Sequence, residues 1–317
     1  MSPAPLGEIP GELFDFQVNG FGGVDFQRDD LTAGQLAHAV TVLRRHRVAR
    51  IFATLITDDV DRLCRRFEHF ERLCEADPAA RAMVPGYHLE GPWLWSEAGY
   101  RGAHAPAPMH APSLAEFTQL QAAAGGRIRL VTLAPEWPGS PEFIRHLTAG
   151  GVHVSLGHTN ASDAQIDEAI AAGARFCTHL GNGTPGLLPR HDNIAQRLLA
   201  RDELTACLIP DGVHLPPFVL KNFFRAKPPG RVLFTTDAMS GAGAPPGTYT
   251  IGHLQIFIGA DGIARQPDQS TLAGSTLTPD EGVRRVTRYL GLSAKDAIHL
   301  WSTAPAQAFG LELPGGR

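Results

Sequence analysis

The chain has 317 residues and a formal charge of −4, from 28 Lys and Arg against 32 Asp and Glu. That balance excludes a general nucleic-acid binder, which needs a basic surface. With 43% hydrophobic and 19% charged residues, the composition excludes a disordered tail and allows a large buried core.

In chain order, the N-terminal MSPAPLGEIPGELF has neither the basic nor the apolar region of a secretory signal. The first apolar, β-branched run is 14-FDFQVN-19, and a helical pattern follows over 31–47. The alternation then repeats. The runs 50-RIFATLIT-57, 83-MVPGYHLE-90, 128-IRLVTLAP-135 and 152-VHVSLGHT-159 precede helical patterns over 59–76, 113–124, 140–149 and 161–172. The runs 175-RFCTHLGN-182 and 205-TACLIPDG-212 precede patterns over 192–201 and 215–226, and 231-RVLFTTDA-238 ends the series. Strands alternating with helices predict a parallel sheet built from βαβ units. Eight strands is the count of an α/β (β/α)8 barrel of the TIM type, with a doubly wound open sheet as the alternative.

Residues 248–264 read as a hairpin, with an Asp-Gly turn at Asp261 and Gly262. Helices over about 278–290, 293–301 and 304–310 close the chain, with Thr278 and Ser293 as N-caps. A single catalytic barrel domain over 1–317 is expected, with its strands within about 14–238. No apolar run reaches the roughly 20 residues of a bilayer span, so no membrane contact is expected. Cys64, Cys74, Cys177 and Cys207 lack a CxxC spacing and read as free thiols, which points to a reducing cytoplasm.

Reactive side chains gather at the C-terminal ends of the runs. Gln17 and Asn19 end the first, His88 and Glu90 the third, His158 the fifth, His179 the sixth and Asp237 the eighth. Asp211 and His214 follow the seventh. Those ends converge on one face of a barrel, where its active site sits, and this clustering favours the barrel. Period-2 alternation puts His88 and Glu90 on one strand face. Taken alone, Glu90 fits a metal ligand or a salt-bridged carboxylate equally, and a lone strand-end His fits a hydrogen-bonded core residue. One carboxylate and two histidines on three strands match the three protein ligands of a catalytic zinc site. Asp237 could move a proton beside them, or cap a helix.

The segments FDFQVNGFGGVDF, GYHLEGPWL, GAHAP, VSLGHTNA, THLGNG, IPDGVH, TTDAMSGAG and TLAGSTLT, in this order, resemble the N-acetylglucosamine-6-phosphate deacetylases of the amidohydrolase superfamily. The resemblance runs from about residue 14 to residue 310. It implies hydrolysis of the acetamide of an N-acetyl amino sugar phosphate, with Glu90, His158 and His179 as metal ligands and Asp237 as general base and acid. It implies His104 at the substrate carbonyl, His214 at the sugar phosphate, Asn182 and Gly183 along the substrate, and Leu272 lining the pocket. Arg190 falls where family members contribute a phosphate-binding arginine across the interface of a homodimer, although 184-TPGLLPRHDN-193 departs from the family's usual loop.

Two departures carry expectations of their own. Many amidohydrolases build a second metal site with an HxH pair on strand one; Gln17 and Asn19 stand there instead, so one divalent metal per chain is expected, zinc first and iron second. Family members also carry a small accessory β-sandwich, partly from an N-terminal arm. Only thirteen residues precede Phe14 here, so that sandwich is expected to be missing. Rival readings are deacetylation of an unphosphorylated amino sugar or an N-acyl amino acid, and a catalytically silent sugar-phosphate sensor.

Overall fold

The structure is a computed structural model that describes residues 11–266 and 272–314. Strands β1 (Leu13–Val18), β2 (Val48–Ile56), β3 (Gly86–Glu90), β4 (Ile128–Leu133), β5 (His153–Leu156), β6 (Phe176–Cys177), β7 (Thr205–Leu208) and β8 (Val232–Phe234) form one parallel sheet in chain order. A parallel bridge between Val18 and Ala238 joins the last strand to the first, which closes the (β/α)8 barrel and excludes the open sheet. Buried Asp15 fastens that seam from β1 by accepting from the hydroxyls of Thr235 and Thr236 beyond β8.

The helices between strands start where local chemistry allows. Thr32 and Gln35, and again Ser162 and Gln165, form reciprocal capping boxes. Ser293 caps its helix by accepting from the Asp296 N–H. Thr278 does not act as a capping side chain: its hydroxyl donates to Asp280 at 2.6 Å instead. The structure adds a short helix, Pro78–Met83, introduced by Asp77 and a proline in its first turn.

Side chains fill the barrel in layers. At the N-terminal end, Phe309 beyond the last helix enters the barrel, its ring 5.0–6.1 Å from those of Phe14, Phe16, Phe52 and Phe176. Above this aromatic floor lies a hydrogen-bonded polar layer. His88 Nε2 is 2.7 Å from Thr132 Oγ1, and Thr178 Oγ1 lies 2.6 Å from the hydroxyls of both Thr132 and Ser155. Burial pushes the His88 imidazole down to about 4, so it is neutral. Glu90, two residues on, therefore stands one layer nearer the C-terminal mouth.

The segment after β8 departs from the expected hairpin. Strands β9 (Gly247–Ile251) and β10 (Leu254–Ile258) turn at Gly252 and His253, and Asp261 and Gly262 instead lead to a third strand, β11 (Ala264–Arg265). The register pairs Ile251 with Leu254, which leaves a two-residue loop with Gly252 at φ +60. This small sheet buries Ile251, Ile256 and Ile258 against Ile56 and Met239, and so covers part of the barrel mouth.

Candidate active site

Three residues that leave the strand ends do so in the left-handed region: His158 at φ +51, His179 at φ +29 and Asp237 at φ +51. Such conformations cost non-glycine residues about 1–2 kcal/mol each and cluster at functional sites. Hydrogen bonds around the turns hold them. Glu136 accepts from the Thr159 hydroxyl at 2.6 Å and from the Asn160 N–H. The Asp237 carbonyl accepts from Ser275 N–H at 2.8 Å.

His158 and His179 thereby meet Glu90 over the polar layer. His179 Nε2 lies 3.0 Å from Glu90 Oε1, His158 Nε2 lies 3.3 Å from the same oxygen, and the two Nε2 atoms are 3.1 Å apart. All three side chains are buried. Burial works against a charged Glu90, but its close contacts with the two imidazoles outweigh that and hold it well below the usual carboxylate range.

This donor set fits a metal ion. His158 Nδ1 is 2.9 Å from the Tyr100 carbonyl, which only accepts, so the ring proton sits on Nδ1 and the Nε2 lone pair faces the centre. Ligand atoms held about 2.0–2.1 Å from a tetrahedral zinc stand about 3.3–3.4 Å apart, close to the spacing seen. His104 comes within 4.8 Å of Glu90 and His158 and is a further possible donor, but the triangle with His179 is tighter.

His104 has a different neighbour. Its Nδ1 is 2.9 Å from Thr57 Oγ1, and Thr57 is 3.3 Å from the Glu90 carbonyl. The Glu90 carbonyl only accepts, so the Thr57 hydroxyl donates to it and accepts from His104 Nδ1, which leaves the Nε2 lone pair facing the site. Burial first, and then His158, pushes this imidazole down to about 3, so it is neutral.

The strand-one amides meet the carboxylates. Asn19 Nδ2 donates to Asp237 Oδ1 at 2.7 Å, and Gln17 Nε2 donates to Glu90 Oε2 at 3.2 Å. Amide N–H groups thus occupy the side of the site where HxH histidines would hold a second ion. Burial, then repulsion from Glu90, pushes Asp237 up to about 7. A cation on the Glu90 triangle pulls it back down, which leaves a base matched to neutral pH.

These groups form the floor of a cavity of about 670 Å³. Asn182, Gly183, His214 and Leu272 line it as well. His214 is tied down, with Nδ1 2.7 Å from Asp211 Oδ2. Arg190 is not brought to the cavity. Its loop runs outward from Pro185, packed under Gly99, to Asn193, which caps the next helix and donates to the Pro189 carbonyl. Arg190 is exposed there, and the nearby Asp192 pairs with Arg197 at 2.6 Å.

Known proteins share this architecture. No protein-family profile matches the chain. The N-acetylglucosamine-6-phosphate deacetylase of Bos taurus is 36% identical over 325 residues, which cover 97% of this chain and 75% of that protein. The chain belongs to the N-acetylglucosamine-6-phosphate deacetylase family. A solved structure of the Mycobacterium smegmatis deacetylase, a mutant in complex with N-acetyl-D-glucosamine-6-phosphate, superposes with a TM-score of 0.85 at 33% identity. It covers 99% of this chain and 82% of that one. The N-acetylgalactosamine-6-phosphate deacetylase of Escherichia coli O157:H7 is 32% identical, covering 98% of this chain and 81% of its own length.

Within this deacetylase-family barrel, sequence reasoning missed two cavity residues. Arg101 stands three residues before His104, just outside the GAHAP segment, and was passed over for lack of a motif. His253 sits at the turn of β9 and β10, and placing the turn at Asp261 hid it. The glycines around His158 are a further finding. A Cβ on Gly183, at φ +61, would stand 2.7 Å from His158 Nδ1, and one on Gly102 would stand 3.0 Å from Cε1. Gly183→Ala is therefore expected to push the imidazole aside and lower bound metal and kcat/KM at least about tenfold. Gly126→Ala is the control, since it has φ +73 but no atom within 4 Å. Metal content and kcat/KM measured on both variants separate displacement of His158 from simple backbone strain.

Proposed function

We propose that the protein hydrolyses the acetamide of N-acetylglucosamine 6-phosphate, or a close N-acetyl hexosamine phosphate, to acetate and the amino sugar phosphate. The observation that carries this reading is the buried Glu90, His158 and His179 triangle beside Asp237 at the floor of one cavity. We assign these three side chains as ligands of one divalent ion per chain, zinc first and iron second. The ion, when bound, supplies Lewis acidity that polarises the amide carbonyl and lowers the pKa of water.

The chain's own residues do the rest. Asn19 holds one oxygen of Asp237, which leaves the other to take the proton of the attacking water. His104 is assigned to the carbonyl oxygen, to which it donates from Nε2 once the Thr57 hydroxyl turns from the Glu90 carbonyl to Nδ1. Asp237 then returns its proton to the leaving amine. Asn182, Gly183 and Leu272 shape the sugar site, and His214 meets the phosphate. Exposed Arg190 joins that phosphate site only from a second copy of the chain, which makes a homodimer part of this reading. No helix among the described residues is long and apolar enough to cross a membrane, and a reducing cytoplasm suits the free thiols.

Acetate release from a panel of N-acetyl hexosamines, each with and without a 6-phosphate, tests this function. The phosphorylated gluco or galacto sugar is expected to be hydrolysed with the highest kcat/KM. Equal or higher kcat/KM on the plain sugars would refute the phosphate assignment, and no acetate from any of them would refute the deacetylase.

A further inference from the structure

We infer that Arg101 is a further specificity-determining cation of the cavity, holding the anionic substituent of the substrate from the same chain as His214. This inference rests on the phosphorylated-sugar reading above and deepens it. Among the described residues that line the cavity, Glu90 and Asp237 are the carboxylates, and both lie on its floor. The walls carry neutral or basic side chains, and Arg101 is the permanently charged one among them.

Arg101 is half-buried, and no carboxylate among the described residues pairs with it. Its guanidinium makes one intrachain hydrogen bond, from Nη1 to the His104 carbonyl at 3.1 Å. That bond fixes the head group and leaves the rest of the donor fork for a ligand. The other arginines near the site are committed or remote. Arg285 is bound to Glu281 and to the Asp211 carbonyl, and Arg190 is exposed outside the cavity.

Position supports the same role. The Tyr100 carbonyl holds His158, and Gly102 packs on the same imidazole. Arg101, between them, is anchored beside the metal-ligand triangle, and its Nη1 ends on the His104 carbonyl in the cavity lining. On a hexosamine, the C2 amide and the C6 substituent lie on opposite sides of the ring. With the amide on the floor, the C6 substituent is directed away from the triangle. A guanidinium binds a phosphate through paired charge-assisted hydrogen bonds, which a neutral hydroxymethyl group cannot match.

The test measures binding of the reaction's product side, so that it does not depend on turnover. Dissociation constants for glucosamine 6-phosphate and plain glucosamine are measured by calorimetry on the full-length zinc-loaded protein and on Arg101→Gln, Arg101→Lys and Arg190→Ala. The parent is expected to prefer the phosphorylated sugar. Arg101→Gln is expected to weaken glucosamine 6-phosphate on the order of 30-fold and plain glucosamine less than threefold. Arg101→Lys, with charge but no fork, is expected to recover part of the loss. A parent preference that survives in Arg101→Gln would overturn the Arg101 assignment alone. Equal weakening of both sugars would reduce Arg101 to a prop for the His104 loop and overturn it too. A parent that binds both sugars equally would overturn the phosphorylated-sugar reading itself, and this inference with it.

Discussion

Asp237→Asn is expected to lower kcat by about 10²–10⁴-fold while the fold and the metal content stay as in the parent. The amide replaces the carboxylate in nearly the same volume. Asn19 can flip its own amide to keep the 2.7 Å contact, because the Asn19 Oδ1 atom has no other partner. What the variant lacks is an atom that can accept the water proton and return it to the amine. Burial and Glu90 lift this carboxyl group to about 7 before an ion binds, and a cation on the Glu90 triangle lowers it, so at neutral pH it is ionised and able to accept the proton. Metal analysis and single-turnover rates on the same preparation decide the matter. Activity within about threefold of the parent, or loss of metal, would return Asp237 to a structural role.

Metal removal is expected to abolish acetate release altogether, and about one equivalent of a divalent ion per chain should restore it. Gln17 and Asn19 explain the single equivalent. Their N–H groups face Glu90 Oε2 and Asp237 Oδ1, so a second cation would meet donors instead of lone pairs. The holoprotein should also lose stability on stripping, by about 2.7 kcal/mol if the ion had been present at 100 times its dissociation constant. The pH dependence has a definite sign. Protons compete with the ion for His179, whose imidazole is raised: burial opposes this, but Glu90 and Asp237 outweigh it. Affinity therefore falls as pH drops through the histidine range. Full activity in chelated protein, or two tightly held ions per chain, would overturn this account.

Much of the site was legible because a barrel converts sequence rhythm into geometry. Once 14–19, 83–90, 152–159, 175–182 and 231–238 read as parallel strands, Glu90, His158, His179 and Asp237 had to converge at one mouth. Other features carry no rhythm. The left-handed turns at His158 and Asp237 are held by contacts from Glu136, Tyr100 and Ser275, which lie far away in sequence. The outward course of the Arg190 loop depends on one packing contact between Pro185 and Gly99. The turn at Gly252 and His253 was masked by the stronger local signal of Asp261 and Gly262, which proved to serve the next connection. Arg101 had no motif, only a neighbour.

The aromatic floor has a consequence for biosynthesis. Phe309 completes a cluster whose other members begin at Phe14, nearly the whole described chain earlier. A nascent chain can pair its strands as they emerge, but their apolar inner surface stays uncovered from below until residue 309 has been added. Contacts of such long sequence separation form slowly and leave sticky surface open in the meantime. During synthesis the unsealed barrel, with Phe14, Phe16, Phe52 and Phe176 accessible, is the species that chaperones and proteases meet first.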